Sequence, residues 1–389
     1  MLTVIVTIAI FMLLISVHEF GHFVMAKLMG IKVEEFSIGM GPGIFKKQGQ
    51  ETLYSLRLVP IGGYCRFAEE DGKNPDALSK QKRYKRFFVL ISGAFLNIVL
   101  GYLIFVLMTA VMPKADGELN TISVPVVDSV VENSYASQAG LMSGDKIIKI
   151  NGHKINFYQD VTLYTADFDE NTDCELIVKR GDEEVSISFK PSVSETTYNY
   201  EEDFVEVETS INGNLTSQKY DYSVVASEEE IEELKGTSET QKRLIIGFVP
   251  QQEVVGFNNI FTHSFHYTVF VVKLVFKSLG DILTGTVGFD AVSGPVAIAG
   301  EVNNAVNTGV FSFVNVLYLA AIITINLGIF NLLPVPALDG GRLVFLIIEA
   351  IRRKPISVQK EEAIHTIGLV VLLILGVVIA FSYVFKLIR

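Results

Sequence analysis

Apolar runs divide the chain into spans and intervening polar stretches. Phe87 to Met112 and Thr366 to Phe385 are uncharged, and each exceeds the roughly 18 residues that a helix needs to cross a bilayer. A third run, Phe311 to Ile351, is longer and broken by Pro334, Pro336, Gly340 and Gly341, with Asp339 and Arg342 among them. Those residues interrupt the helical ladder, so the run cannot be one plain helix. The opening run from Leu2 to about Ala26 makes a fourth span, provided it tolerates the polar cluster HEFGH at 18 to 22. A signal peptide over 1 to 17 is not expected, because no positive n-region precedes it and no small-residue cleavage site follows. The predicted spans are therefore 1–29, 87–112, 311–351 and 366–385.

Between the spans the pattern changes. Residues 30–68 alternate over Thr52 to Leu58 and carry Gly39, Gly41, Gly43, Gly62 and Gly63. This predicts a β hairpin or sheet lying against the membrane. Residues 118–190 contain strand-like TISVPVVDSV and CELIVKRGDEEVSISF around AGLMSGDKIIKINGHKI. The last stretch resembles the PDZ pattern, so a peptide-recognition module that adds a strand to a sheet edge is expected there. Residues 191–250 are Ser, Thr and Glu rich and read as an exposed acidic insertion or linker. Over 265–284, apolar Val269, Val272, Phe276, Leu279 and Leu283 share one helical face. That spacing predicts an amphipathic helix on the membrane surface or packed on the protein itself.

Composition agrees with the spans. The 389 residues are 49% hydrophobic and 19% charged, with mean hydropathy +0.39, too apolar for an ordinary soluble enzyme. Charge sets the orientation. Twelve Lys or Arg lie between Lys27 and Arg86, six of them within 73 to 86, so the basic loop 69–86 is expected to be cytoplasmic. From Pro113 to Phe261 there are 11 basic and 28 acidic residues, and this acidic region is expected outside. Four spans then put both termini outside, although Lys386 and Arg389 disagree mildly. Cys65 and Cys174 fall on opposite sides, which implies no disulfide framework.

The chemistry centres on HEFGH. Residues four apart share a helix face, so His18 and His22 can offer two imidazoles to one metal ion, with Glu19 beside them as a general base toward water. Ionisable residues at membrane depth are candidates for function. Zinc needs a third protein ligand and keeps one position open. In the pattern HExxHxxGxxH that ligand would fall at Leu28, which is excluded, and Glu34 or Glu35 would lie in a glycine-broken loop. The other candidate is Asp339, on the broken span. His18 and Glu19 sit about 25 Å along the first span at the helical rise, in its cytoplasmic half, and Asp339 lies at a similar level.

HEFGH, GMGP at 39 to 42, PIGGY at 60 to 64, the PDZ-like stretch, SGPVAIA at 293 to 299 and NLLPVPALDGG at 331 to 341 together resemble the site-2 protease family, in its bacterial RseP-type branch. The resemblance implies a polytopic α-helical membrane protein with four transmembrane helices, a membrane-reentrant β element and an extracytoplasmic PDZ-like α+β domain. It also implies Zn2+ held by His18, His22 and Asp339, Glu19 as catalytic base, and Asn326 and Asn331 as substrate-binding residues. The reaction implied is endoproteolysis inside the bacterial cell membrane. Its substrates would be single-pass membrane proteins such as anti-sigma factors and remnant signal peptides, with lipid as surroundings and no nucleic acid. One PDZ-like unit and the acidic insertion depart from the best-known members.

Two other readings compete. A metal transporter would need polar residues at depth in several spans, yet Phe87 to Met112 offers only Ser92, Asn97 and Thr109. A non-catalytic PDZ adaptor would have no use for Glu19 beside two metal ligands.

Overall fold

The computed structural model describes residues 2–68, 74, 76–111, 121–201, 204–220, 236–286, 302 and 312–388. SGPVAIA at 293 to 299 and part of the basic loop lie outside them. The chain divides into two units, Met1–Pro113 with Phe257–Arg389, and Lys114–Gly256.

In the first unit, helix α1 (Leu2–Leu28) leads into an antiparallel hairpin of β1 (Val33–Gln48) and β2 (Leu53–Phe67), followed by helix α2 (Arg83–Val111). The apolar runs are helices because their backbone groups must be satisfied within the segment. Four of the described helices are long and apolar enough to cross a membrane, over Thr3–Leu28, Arg83–Val111, Phe313–Leu332 and Val358–Ile379. Small residues set how closely these helices approach. A Cβ at Gly21 would lie 2.5 Å from the Ser92 carbonyl oxygen, so only glycine lets α1 cross α2 at this distance. The hairpin rests on α1 through Phe23, whose ring is 5.1 Å from Phe36 and 5.9 Å from Tyr54. Its own interior is polar: Glu35 accepts from Ser55 Oγ at 2.7 Å and from Arg57 Nη2 at 2.6 Å. Met40, Ile44, Phe45, Leu56, Leu58 and Val59 are exposed on it.

The helix predicted at 265–284 begins earlier and lies on the protein. Designated α5, after the two short helices of the second unit, it spans Phe257–Thr284. Its Val271 and Val275 pack with Phe105 and Met108 of α2 in a core completed by Ala321 and Ile325. Helix α6 (Ser312–Leu332) carries the last two. The broken span resolves into α6, a turn through Pro334 and Pro336, and helix α7 (Asp339–Arg352), before α8 (Val358–Ile388). Inside this unit Arg86 donates to Glu349 at 2.7 Å with both side chains buried.

In the second unit, β3 (Thr121–Val130), β4 (Lys146–Ile150), β6 (Cys174–Arg180), β7 (Glu183–Phe189) and β12 (Phe248–Val254) form one sheet in the order β12-β3-β4-β6-β7, with β5 (His153–Lys154) paired to β4. Helices α3 (Tyr135–Gln138) and α4 (Tyr158–Thr165) connect it. The core gathers Val127, Ile147, Ile150, Leu176 and Val178. Asp145, in the Gly-Asp turn, is buried and accepts from Arg180 at 2.7 and 2.8 Å and from the Met142 amide at 3.0 Å.

The acidic stretch 191–250, expected as an exposed insertion or linker, carries regular strands. Within it, β8 (Ser192–Tyr200), β9 (Val205–Ile211), β10 (Asn214–Tyr220) and β11 (Ser238–Ile245) make a second antiparallel sheet in the order β10-β9-β8-β11, while β12 closes the first sheet. The physical reason is alternation. Ser192, Ser194, Thr196 and Tyr200 turn inward along β8, and β-branched Thr and Val serve a half-buried strand despite their polar neighbours.

Candidate metal centre

His18 and His22 are one turn apart on α1 and both are buried, 6% and 7% exposed. Their Nε2 atoms converge at 3.2 Å, with the rings edge to face. Asp339 meets them from α7, its Oδ2 lying 3.0 Å from His18 Nε2 and 3.1 Å from His22 Nε2. Among the described residues these three form the one group of His, Cys, Asp or Glu side chains arranged to hold a metal ion.

The turn before Asp339 is shaped for this approach. Ala337 has φ of 81°, a left-handed conformation uncommon for a residue with a Cβ. Its amide donates to His365 Nδ1 of α8 at 2.8 Å, so α8 holds the turn. A side chain at Gly340 would fall on the carbonyl oxygen of Leu333, and one at Gly341 would lie 2.6 Å from that of Val335. Both glycines are therefore required where the new helix starts against the chain that precedes it.

The donor set fits zinc. Two neutral imidazoles and a carboxylate are a borderline-soft cation's ligands, and three protein ligands leave a position open. His22 Nδ1 lies 2.7 Å from the Val89 carbonyl oxygen, which can only accept. That bond places the ring proton on Nδ1 and leaves Nε2 free to ligate. Space is reserved as well: a Cβ at Gly93 would sit 2.5 Å from His22 Nε2 and 2.8 Å from His18 Cε1.

Glu19 opens onto the same cavity of about 460 Å³ as the two histidines and Asp339. Its Oε2 accepts from the Cys65 amide of β2 at 2.9 Å, so the hairpin fixes the carboxylate's direction. Asn331 also lines this cavity, whereas Asn326 does not. Sequence reasoning missed Val89, Gly93 and the Cys65 amide, since a backbone carbonyl, a glycine and a backbone amide leave no compositional signal. Asn97 it counted only as a sparse polar residue in an apolar span.

An HExxH face on one candidate span, met by a carboxylate from the helix that follows another, points to a metallopeptidase in a chain with four candidate membrane spans among its described residues. The comparison with known proteins is specific. The model of Peptidase family M50 matches residues 6–375, and the chain belongs to that family, the site-2 proteases. It is 31% identical over 382 residues to a Clostridium acetobutylicum protein named as a zinc metalloprotease, covering 97% of this chain and 95% of that one. A Clostridium perfringens relative with the same kind of name is 32% identical over 372 residues, covering 95% and 94%. The Regulator of sigma-W protease RasP of Bacillus subtilis is 27% identical over 463 aligned positions, covering 98% and 97%.

Proposed function

We propose that the chain is a zinc endopeptidase that cuts single-pass membrane proteins within their transmembrane segments, with His18, His22 and Asp339 as metal ligands and Glu19 as general base. The observation that carries this reading is the convergence of three ligand atoms from α1 and α7 beside Glu19 in one cavity. Bound zinc supplies a Lewis acid for the scissile carbonyl and makes water a stronger acid. Glu19 takes a proton from the attacking water and delivers it to the amine that leaves as the C–N bond breaks. The Cys65 amide keeps the Glu19 carboxylate aimed during both transfers.

A substrate helix hides its peptide groups in its own ladder, so it must unwind locally, and its freed backbone groups then need partners. The β1–β2 hairpin, packed on α1 beside the site, offers a strand edge for that purpose. Asn331 at the cavity supplies a further side-chain partner, and Asn326 acts from outside it. The name of the Bacillus subtilis relative supports anti-sigma factors as one substrate class, alongside remnant signal peptides. The 118–190 region, completed by β12, acts as the PDZ-like recognition module outside the bacterial cell membrane. The basic loop faces the cytoplasm, both termini face outside, and the site lies toward the cytoplasmic half.

The test uses the purified full chain reconstituted with a tethered single-pass substrate. Stripping zinc with a chelator should abolish cleavage, restoring zinc should recover it, and Asp339→Ala should lower zinc content. Cleavage that persists in the zinc-free protein overturns the assignment.

A further inference from the structure

Val89, Gly93 and Asn97 are spaced four apart and make one stripe along α2. Val89 gives its carbonyl to His22, and Gly93 leaves room for both imidazoles. Asn97 is fully buried, and its Nδ2 lies 3.5 Å from His18 Nδ1. Its Oδ1 has no hydrogen-bond partner.

An amide's oxygen and nitrogen exchange places by a half-turn, and the hydrogen-bond network decides between the two orientations. With the NH2 toward His18, Nδ1 is the acceptor, and the single proton of the neutral ring sits on Nε2. That is the atom 3.0 Å from Asp339 Oδ2 and 3.2 Å from His22 Nε2. A protonated Nε2 has no lone pair for a cation. With Oδ1 toward His18, Nδ1–H donates and Nε2 is free, the arrangement that the Val89 carbonyl imposes on His22.

Resting on the zinc reading of this site, we propose that Asn97 is the positioning residue of His18. In the zinc-loaded protein its Oδ1 accepts from His18 Nδ1–H and fixes the tautomer that turns Nε2 toward the metal. Helix α6 holds Asn97 in place. Thr324 Oγ1 donates to its backbone carbonyl at 3.3 Å, and Gly328 leaves its Cβ the space that a methyl group would contest at 3.3 Å. One stripe of α2 thus provides an acceptor for each of the two histidines and the gap between them.

The experiment compares zinc affinity, by chelator competition on the full chain in detergent, for wild type, Asn97→Asp and Asn97→Leu. Cobalt absorption spectra report the ligand geometry alongside. A carboxylate only accepts, so Asn97→Asp should bind zinc close to wild type. Asn97→Leu should bind about 10- to 100-fold more weakly, as outer partners of ligating histidines do when removed. Asn97→Ala carries the same comparison if the leucine variant melts earlier than wild type without zinc. Equal weakening by Asp and Leu overturns the proposal, since an acceptor at 97 would then not suffice, and so does wild-type affinity in both Leu and Ala. His18→Ala separates the two readings: zinc retained there overturns the metal site itself. Zinc lost there with Asn97→Leu unaffected overturns only the role of Asn97.

Discussion

Replacing Gly93 by alanine tests the proposed metal centre without touching any of its proposed ligands. The added Cβ would lie 2.5 Å from His22 Nε2, short of ordinary van der Waals contact at 3.4 Å by about 0.9 Å. Retreat of the backbone there is opposed by α6, where a Cβ at Gly328 would lie 2.8 Å from the Ala94 carbonyl oxygen. The imidazoles must move instead, by more than the roughly 0.5 Å within which a functional constellation has to be held. Overpacking of this kind costs about 1–3 kcal/mol of stability. Zinc affinity should fall at least about 100-fold, the upper end of what changes around ligating histidines do. Gly101→Ala is the matched control. Two turns further along α2, its Cβ would press on the Ile325 side chain and approach the Ala321 carbonyl oxygen at 3.2 Å. Metal analysis and chelator competition on both variants decide the matter. Wild-type zinc binding in Gly93→Ala refutes the reasoning, and equal loss in Gly101→Ala reduces it to general destabilisation.

The Arg86–Glu349 pair should behave as a buried ion pair. Glu349→Ala leaves a buried guanidinium without its partner and should cost about 3–5 kcal/mol, read as thermal unfolding in detergent. Arg86→Met with Glu349→Leu should recover most of it, and a single variant as stable as wild type contradicts the burial argument. The second unit should show an acid-sensitive contact at Asp145. Burial pushes this carboxyl up, but the Arg180 guanidinium and the Met142 amide outweigh it and hold it below the usual carboxylate range. A folded value below the unfolded one, about 3.9, gives stability that is complete above that pH and fades as pH falls through the folded value. The stability difference between wild type and Arg180→Gln, followed by hydrogen exchange of β4 and β6 amides, should therefore shrink on acidification below about pH 4. A constant difference across that range counts against the ion pair.

The convergence of His18, His22 and Asp339 was legible because its signal is local. His18 and His22 share a face by spacing alone, and Pro334, Pro336 and the two glycines after Asp339 announce a helix broken at depth. What surrounds them was not legible, since it depends on how α1 and α2 cross. Gly93 and Asn97 look like ordinary residues of an apolar span until Gly21 brings the two helices together. The strands of 191–250 were not legible for another reason: serine, threonine and glutamate composition suggested solvent, while alternation along β8 recorded an inward face. The helix expected at 265–284 is a helix, but its buried face runs through Ser264, Thr268, Val271 and Val275, while Phe276 and Leu283 of the expected face are exposed. Apolar spacing alone does not separate a face that packs on protein from one that does not.

Cleavage by Glu19→Gln is the most direct test of the central claim. The amide keeps the size of the side chain and an oxygen for the Cys65 amide, so the purified variant should retain wild-type zinc content. It should cut a tethered single-pass substrate slower by about 100- to 10,000-fold, the share expected of a general base. Wild-type cleavage with zinc bound contradicts the account.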